Sequence, residues 1–280
     1  MSVFMAKFNS KLAFIGSGNM GSAIIRGFIS YGGVSASSIY VFDKGKTNYD
    51  SLQNLGVIAV DTVEAAILDA DFIFLCVKPQ IVSSVVKDCC AADSYQRSSV
   101  FVSIAASVPI SLICKCAGGD VPVIRTMPNT PMLIGEGAIA ICKNDLVDNK
   151  RFANVCRLFS SIAVVSVMEE SMMNPVISVS GSSPAYVYYF IKSILDEALD
   201  QGFTQEQALP LIVGTVIGTA RMVENADCSI DELIRRVCSP KGTTREAMNV
   251  LQEEHFADII GRAMRACNKR AEEISTELQS

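Results

Sequence analysis

The feature that most constrains this chain is a glycine-rich turn, Gly16-Ser-Gly-Asn-Met-Gly21, set between an apolar run at residues 12–15 and a helical pattern. Strand, turn and helix in this order favour a dinucleotide site over an ordinary glycine-rich turn. Gly16 is expected to permit the turn, Gly18 to let a pyrophosphate approach the backbone, and Gly21 to let the helix pack on the strand. Backbone N–H groups at the start of the helix would then face the phosphates.

Short apolar runs alternate with helical patterns through the first half of the chain. Most of these runs are continuously apolar, which is typical of parallel strands covered on both faces and predicts a doubly wound, Rossmann-like α/β domain. The predicted strands are residues 12–15, 39–42, 57–60, 72–77, 100–104, 121–125, 137–141 and 163–167.

After about residue 170 the strand pattern disappears and the chain is expected to be entirely helical. The predicted helices are residues 184–201, 204–225, 229–237, 243–252 and a last one from residue 256. Capping boxes are predicted at Thr204 with Gln207, Ser229 with Glu232 and Thr243 with Glu246. We therefore expect two domains, an α/β domain at residues 1–168 and an all-α domain at residues 169–280.

Composition excludes several classes of partner. The net charge is −5 and no basic stripe is present, so we expect neither nucleic acid nor an anionic membrane as a partner. The longest uncharged apolar helix, residues 208–220, is shorter than the ~20 residues that a bilayer requires. Ten cysteines accompany a single histidine without metal-ligand spacing, which predicts reduced cysteines, no metal and a cytoplasmic location.

The end of the second predicted strand bears on the choice of cofactor. An acidic residue at the position of Asp43 normally binds the adenosine ribose and favours NADH, whereas Lys44 and Lys46 would attract the extra phosphate of NADPH. Both cofactors stay open, as does the alternative that Asp43 only caps a loop. The predicted cofactor-binding residues are Ile15, Gly16, Ser17, Gly18, Asn19, Met20, Asp43, Lys44, Thr62, Cys76, Val77, Lys78, Pro79, Ala105 and Ala106.

Three further segments carry polar side chains that could bind a substrate: one loop after a predicted strand and two predicted helix starts. The loop Arg125-Thr-Met-Pro-Asn-Thr-Pro131 is stiffened by its prolines, and either a structural or a catalytic role fits it. Two predicted helix starts, Ser178-Val-Ser-Gly-Ser-Ser-Pro-Ala-Tyr186 and Cys238-Ser-Pro-Lys-Gly-Thr-Thr244, concentrate hydroxyl groups. Such helix starts suit a substrate carboxylate, although plain N-capping is the alternative.

Five segments together point to one family: Gly16-Ser-Gly-Asn-Met-Gly21, Val77-Lys-Pro-Gln80, Met127-Pro-Asn-Thr-Pro131, Ser180-Gly-Ser-Ser-Pro-Ala-Tyr186 and Ser239-Pro-Lys-Gly-Thr-Thr244. With them the chain resembles pyrroline-5-carboxylate reductases from about residue 11 to residue 273. The resemblance implies a Rossmann domain, a helical domain that interlocks in a homodimer, and further assembly into decamers. It also implies hydride transfer from NADPH, with NADH as the second choice, to 1-pyrroline-5-carboxylate, giving L-proline.

The resemblance also assigns residues to the substrate. Thr244 is expected to hydrogen-bond the ring nitrogen, and Ser239, Gly242 and Thr243 are expected to lie around the carboxylate. The other expected substrate-binding residues are Ser182 and Lys241. The chain departs from the family pattern where Lys241 and Ser183 replace glycines. If position 241 needs a positive φ, lysine is strained there by ~1 kcal/mol or more; otherwise its ammonium group can hold the carboxylate.

Other functions stay open beside this one. A β-hydroxyacid dehydrogenase would have a glycine run before its catalytic lysine, and the chain lacks that run before Lys192. A reductase of a related cyclic imine is favoured by Lys241, and a cofactor-binding sensor without activity would also have this fold. His255 is expected to have a structural role, because a histidine without a partner is weak support for acid–base catalysis.

Overall fold

A computed structural model, which describes residue 8 and residues 10–279, contains one eight-stranded sheet in its described part. The strands are β1 (Leu12–Ile15), β2 (Ile39–Phe42), β3 (Ile58–Ala59), β4 (Phe72–Leu75), β5 (Val100–Ser103), β6 (Val123–Pro128), β7 (Gly137–Lys143) and β8 (Ala163–Val167). Their order is β3-β2-β1-β4-β5-β6-β7-β8. The order reverses between β1 and β4, which creates the crevice where Rossmann-like sheets bind their ligands.

The predicted parallel, Rossmann-like sheet is confirmed, with one antiparallel pair: β7 runs antiparallel to β6, while β8 is again parallel to β7. The connection between β6 and β7 explains the reversal. It holds only a short 3₁₀ helix, Thr130–Ile134, closed by Gly135 with a φ of +78°. A connection this short joins antiparallel strands but cannot make the crossover that a parallel pair requires.

The helices of the α/β part pack on both faces of the sheet. They are α1 (Asn19–Ser30), α2 (Tyr49–Gln53), α3 (Val63–Ile67), α4 (Pro79–Ala91), α5 (Ile110–Cys116) and α6 (Asn149–Ser160). One core contains stacked rings of Phe14 and Phe74, 4.4 Å apart, with Phe28 of α1 edge-on to both. A second core on the opposite face includes Leu75, Val86 and Ile113.

The remaining chain is helical, as predicted. Its helices are α7 (Ser183–Asp200), α8 (Gln205–Glu224), α9 (Ile230–Val237), α10 (Thr243–Glu253) and α11 (Phe256–Glu277). Contacts divide the chain into two compact units, one ending at Ser182 and resuming at Cys267, the other comprising Ser183–Ala266. The predicted domain boundary at 168–169 stays a prediction. In the described part of the chain, no helix is long and apolar enough to cross a membrane.

The three predicted capping boxes have different outcomes. Thr204 and Gln207 form the complete box that opens α8. Ser229 accepts the N–H of Glu232, 3.2 Å away, but the Glu232 carboxylate pairs with arginines instead of returning to Ser229. The third prediction is wrong, because Gly242 is the N-cap of α10 and Thr243 already has helical backbone.

Candidate dinucleotide and substrate loops

The glycine turn between β1 and α1 has the predicted geometry. Gly16 has a φ of +101°, and a Cβ atom there would lie 2.4 Å from the Cys76 carbonyl oxygen. At Gly21 a Cβ atom would lie 2.6 Å from the Gly16 carbonyl oxygen, whereas the space beside Gly18 is open to 4 Å. Helix α1 begins at Asn19 without a side-chain cap. Its first N–H groups therefore suit an anion beside Gly18.

Ser17, at the centre of the turn, is fully buried and held through all its polar groups. Its N–H donates to Asp43 Oδ2 at 2.9 Å, its carbonyl oxygen accepts from Asn48 Nδ2 at 2.7 Å, and its hydroxyl donates to the Thr47 carbonyl oxygen. Ser17 was predicted to contact the cofactor. In this structure its polar groups bond to the loop after β2, and the contact with the cofactor stays a prediction.

Asp43, the first residue after β2, organises that loop. Its Oδ1 accepts the N–H groups of Gly45 at 2.9 Å and Thr47 at 3.3 Å. Burial alone would raise the pKa of the Asp43 carboxyl, but hydrogen bonds from the backbone outweigh this effect and lower the pKa. The carboxylate therefore caps this loop, and its predicted contact with the adenosine ribose stays a prediction.

The two lysines that favour NADPH have different surroundings. Lys46 Nζ lies 2.8 Å from Asp61 Oδ1, with both side chains largely exposed. An exposed pair of this kind contributes little to stability. Lys44 is exposed on the same loop. Lys46 would have to break its ion pair with Asp61 to bind the extra phosphate of NADPH, whereas Lys44 would not.

The other predicted cofactor residues lie at or after the carboxyl ends of strands. Burial raises the pKa of the Cys76 thiol after β4, so this thiol stays protonated. Lys78 is the exposed N-cap residue of α4, and Pro79 begins that helix. After β5, Ala105 is buried and Ala106 is half-buried. Thr62 uses its hydroxyl to cap α3, accepting the Ala65 N–H at 3.1 Å.

The proline-rich loop after β6 braces a turn of π-helix, Ile177–Gly181. Asn129 Oδ1 accepts the Ala138 N–H at 2.8 Å, and Asn129 Nδ2 donates to the Ser180 carbonyl oxygen at 3.2 Å. A Cβ atom on Gly181 would lie 2.5 Å from Met127 Cε. These contacts favour the structural role for the proline-rich loop. The π-turn that the loop supports is itself a feature that occurs often at functional sites.

A buried arginine ties β6 to the segment before the π-turn. Arg125 is only 4% exposed, and it donates to Asn174 Oδ1 at 2.6 Å and to Glu170 Oε1 at 3.4 Å. Glu170 Oε1 also accepts the Ile110 N–H at 2.7 Å. Because a buried guanidinium without partners is costly, this network fixes the entry into the π-turn.

Two serines of the first hydroxyl-rich segment bond to backbone carbonyl oxygens just before them. Ser178 is buried and donates to the Pro175 carbonyl oxygen at 3.0 Å, and Ser180 donates to the Val176 carbonyl oxygen at 3.5 Å. Ser182 Oγ receives a weak hydrogen bond from Cys267 Sγ at 3.3 Å. Ser183 lies in the regular backbone of α7. This departure from the family pattern therefore needs no unusual conformation.

The second hydroxyl-rich segment forms a tight turn between α9 and α10. Gly242 N–H donates to the Ser239 carbonyl oxygen at 3.0 Å, and a Cβ atom on Gly242 would lie 2.2 Å from Ser239 Oγ. Lys241 has a φ of +58°, so the condition for strain is met. Thr243 is exposed and Thr244 half-buried, and no side chain caps α10.

Several contacts that build these loops were not predicted from the sequence. Thr47, Asn48 and Tyr49 hold the glycine turn and Asp43, and Tyr49 Oη accepts the Asp43 N–H at 2.7 Å. The only signal was the turn-forming character of the short polar run before α2. Within the described residues all ten cysteines are free, and no group of three or more metal-binding side chains is assembled.

The fold and the glycine turn are those of two-domain oxidoreductases that bind dinucleotides. A family model described as pyrroline-5-carboxylate reductase dimerisation matches residues 170–274, and one described as NADP oxidoreductase, coenzyme F420-dependent, matches residues 11–107. The pyrroline-5-carboxylate reductase of Escherichia coli K12 is 37% identical over 266 residues, covering 95% of this chain and 98% of that protein. That of Arabidopsis thaliana is 30% identical, covering 95% of each.

Solved structures agree with these relatives. The pyrroline carboxylate reductase of Plasmodium falciparum with NADP bound has a TM-score of 0.88 at 27% identity, covering 96% of this chain and 100% of that one. The Coxiella burnetii enzyme has a TM-score of 0.87 at 29% identity, covering 95% and 99%. The chain belongs to the pyrroline-5-carboxylate reductase family.

Proposed function

We propose that this protein reduces 1-pyrroline-5-carboxylate to L-proline by transferring a hydride from NADPH to the carbon of the ring C=N bond. The observation that carries the proposal is the match of nearly the whole chain to reductases of this name. The uncapped start of α1 beside open space at Gly18 supports a bound pyrophosphate. NADPH rather than NADH is supported by exposed Lys44 and by the NADP that the Plasmodium enzyme binds.

The cofactor is proposed to lie along the carboxyl ends of β1, β2, β4 and β5, because the strand order reverses there. The N–H groups that start α1 hold the pyrophosphate, and Ala105 and Ala106 leave room for the nicotinamide ribose. The reduced nicotinamide supplies the hydride. The protein's own residues bind and orient the two reactants, which is worth up to ~7–11 kcal/mol of the barrier.

The substrate is proposed to bind at the turn between α9 and α10. Because no side chain caps α10, its first N–H groups and the hydroxyls of Ser239 and Thr243 can receive the carboxylate. Lys241 adds a positive charge beside them. Ser182 is kept as a proposed substrate-binding residue from the family resemblance alone. Thr244 orients the ring nitrogen, and its hydroxyl oxygen accepts a hydrogen bond from the protonated nitrogen and so stabilises the proton there.

Little acid–base machinery is needed for this reaction. A cyclic imine is basic enough to take a proton from solvent or a hydroxyl, and the resulting iminium accepts hydride readily. His255 fits a structural role, since it stands at a φ of +54° where α10 ends and α11 begins.

The assembly is proposed to be a homodimer through the helical unit. Helix α7 has 18 residues, yet none of them is buried, and Tyr188 and Tyr189 are 61% and 74% exposed. Apolar helix faces of this extent are typical of a surface that a partner covers. Further assembly into decamers is proposed from the family resemblance, and a cytoplasmic location from the predicted reduced state of the cysteines. The domain boundary at 168–169 is kept as a proposal, and the dimerisation family model begins close to it, at residue 170.

The test is the oxidation of NADPH and of NADH with 1-pyrroline-5-carboxylate, measured side by side by nicotinamide absorbance. Turnover that yields L-proline, faster with NADPH, is the expected result. Absence of turnover with both cofactors, despite measurable cofactor binding, would overturn the proposal. Six-membered cyclic imines are then the next substrates, because Lys241 alters the proposed carboxylate turn. Failure of those as well would favour a cofactor sensor.

A further inference from the structure

The loop after β2 and the glycine turn are joined by several hydrogen bonds. Three separate polar groups of Ser17 are bonded to residues of the 43–48 loop. Ser17 itself is fully buried, so it is held in one position. Because Gly18 and the start of α1 follow it directly, the position of Ser17 also sets where these two elements point.

The carboxylate of Asp43 is the centre of this arrangement. Its two oxygens accept three backbone N–H groups, from Ser17, Gly45 and Thr47, at 2.9 to 3.3 Å. The Asp43 N–H is itself held by Tyr49 Oη, which donates to the Val60 carbonyl oxygen at 2.9 Å. Asp43 is thus anchored from both its backbone and its side chain, with its carboxylate directed into the loop.

We propose that Asp43 is a positioning residue for the dinucleotide pyrophosphate, which it sets through the Ser17 N–H, and that it does not select between NADPH and NADH. The inference rests on the proposed function only in assuming that a dinucleotide binds at the glycine turn. NADPH and NADH share the same pyrophosphate and differ only at the adenosine ribose. A residue that acts through the glycine turn therefore affects both cofactors alike, whereas a ribose ligand discriminates between them.

The experiment measures the dissociation constants of NADPH and NADH separately, by isothermal titration, for the wild-type protein and Asp43→Asn. Asparagine keeps the shape but loses one charged acceptor, and the loss of one such hydrogen bond weakens binding about tenfold. We expect this loss for both cofactors, with their ratio unchanged within about twofold. A loss confined to NADH, or tighter binding of NADPH, would overturn the proposal and make Asp43 a ribose ligand.

A second variant guards against simple misfolding of the first. Asn48→Gly removes the amide that holds the Ser17 carbonyl, and glycine tolerates the φ of +61° at this position. It should weaken both cofactors in parallel, like Asp43→Asn, and thermal unfolding should show both variants folded. Asp50→Asn, an exposed change in the first turn of α2, is the charge control and should bind both cofactors as the wild type does.

The outcomes separate this proposal from the proposed function. If the wild-type protein binds neither cofactor, the reductase function itself fails. If it binds both and reduces the imine, yet Asn48→Gly leaves the two affinities unchanged, only the positioning role fails. Steady-state kinetics with varied cofactor add a further readout, because loss of a residue that positions the pyrophosphate should raise KM for both cofactors more than it lowers kcat.

Discussion

Single residues decide the chemistry proposed for the α9–α10 turn. Thr244→Ala is expected to lower kcat by about tenfold to a hundredfold, because the ring nitrogen loses a hydrogen bond to its proton. Cofactor affinity should stay unchanged, since Thr244 lies outside the glycine turn. Thr244→Ser, which keeps the hydroxyl, is the matched control and should retain most of the rate. An alanine variant with wild-type turnover would remove Thr244 from the mechanism.

Lys241 is a second residue whose conformation leads to a prediction. Its φ of +58° favours glycine, so Lys241→Gly should raise the free energy of unfolding by about 0.5–1 kcal/mol. Lys241→Ala keeps the strain while removing the ammonium group, and it should not stabilise. Urea unfolding measures this difference. A higher KM for the substrate in both variants would show that the ammonium group also holds the carboxylate. A glycine variant with the same free energy of unfolding as the wild type would contradict the backbone strain at position 241.

The Asp43 carboxyl makes stability depend on pH in a defined direction. Because its pKa is lowered in the folded protein, its contribution to stability is fully present above the ordinary aspartate value of about 3.9. The contribution is lost as pH falls further, through the lowered pKa. The difference in unfolding free energy between wild type and Asp43→Asn should therefore be constant from about pH 7 to 5 and shrink near pH 3. A difference that shrinks already near neutral pH would contradict this assignment.

At the scale of elements, the π-turn depends on a side chain from another loop. Asn129→Ala leaves the Ala138 N–H and the Ser180 carbonyl oxygen without this partner, which should cost about 1–3 kcal/mol in stability. It should also raise KM for the imine, while cofactor affinity stays near the wild-type value. Thr130→Ala, next to it and exposed, is the control. Equal effects of the two substitutions would show that the loop does not position the serine segment.

The sequence predicted elements better than it predicted where side chains point. Strands β1, β2 and β8 have the predicted bounds, and the glycine turn has the predicted geometry, because both follow from local pattern and steric constraint. The reversal at β7 depends on the shape of one short connection, which apolar runs do not encode. The Asp43 carboxylate accepts a hydrogen bond from the N–H of Ser17, 26 residues earlier in the chain, and no local sequence pattern reveals such a partner. Thr243 failed as a cap because helix α10 begins one residue earlier than the spacing implied.

At the scale of the whole molecule, the helical unit leaves too much apolar surface exposed for a protein that acts alone. Leu211 of α8 is 68% exposed and Tyr189 of α7 is 74% exposed. Replacing Leu211 with glutamate places a charge on this surface, so we expect the proposed dimer to dissociate and reductase activity to fall with it. Glu224→Lys, an exposed charge change at the end of α8, should leave the dimer intact. Light scattering after gel filtration measures both masses. If Leu211→Glu keeps the mass of the wild type, the proposed dimer interface must lie elsewhere. If the variant is monomeric yet fully active, each chain carries a complete active site of its own.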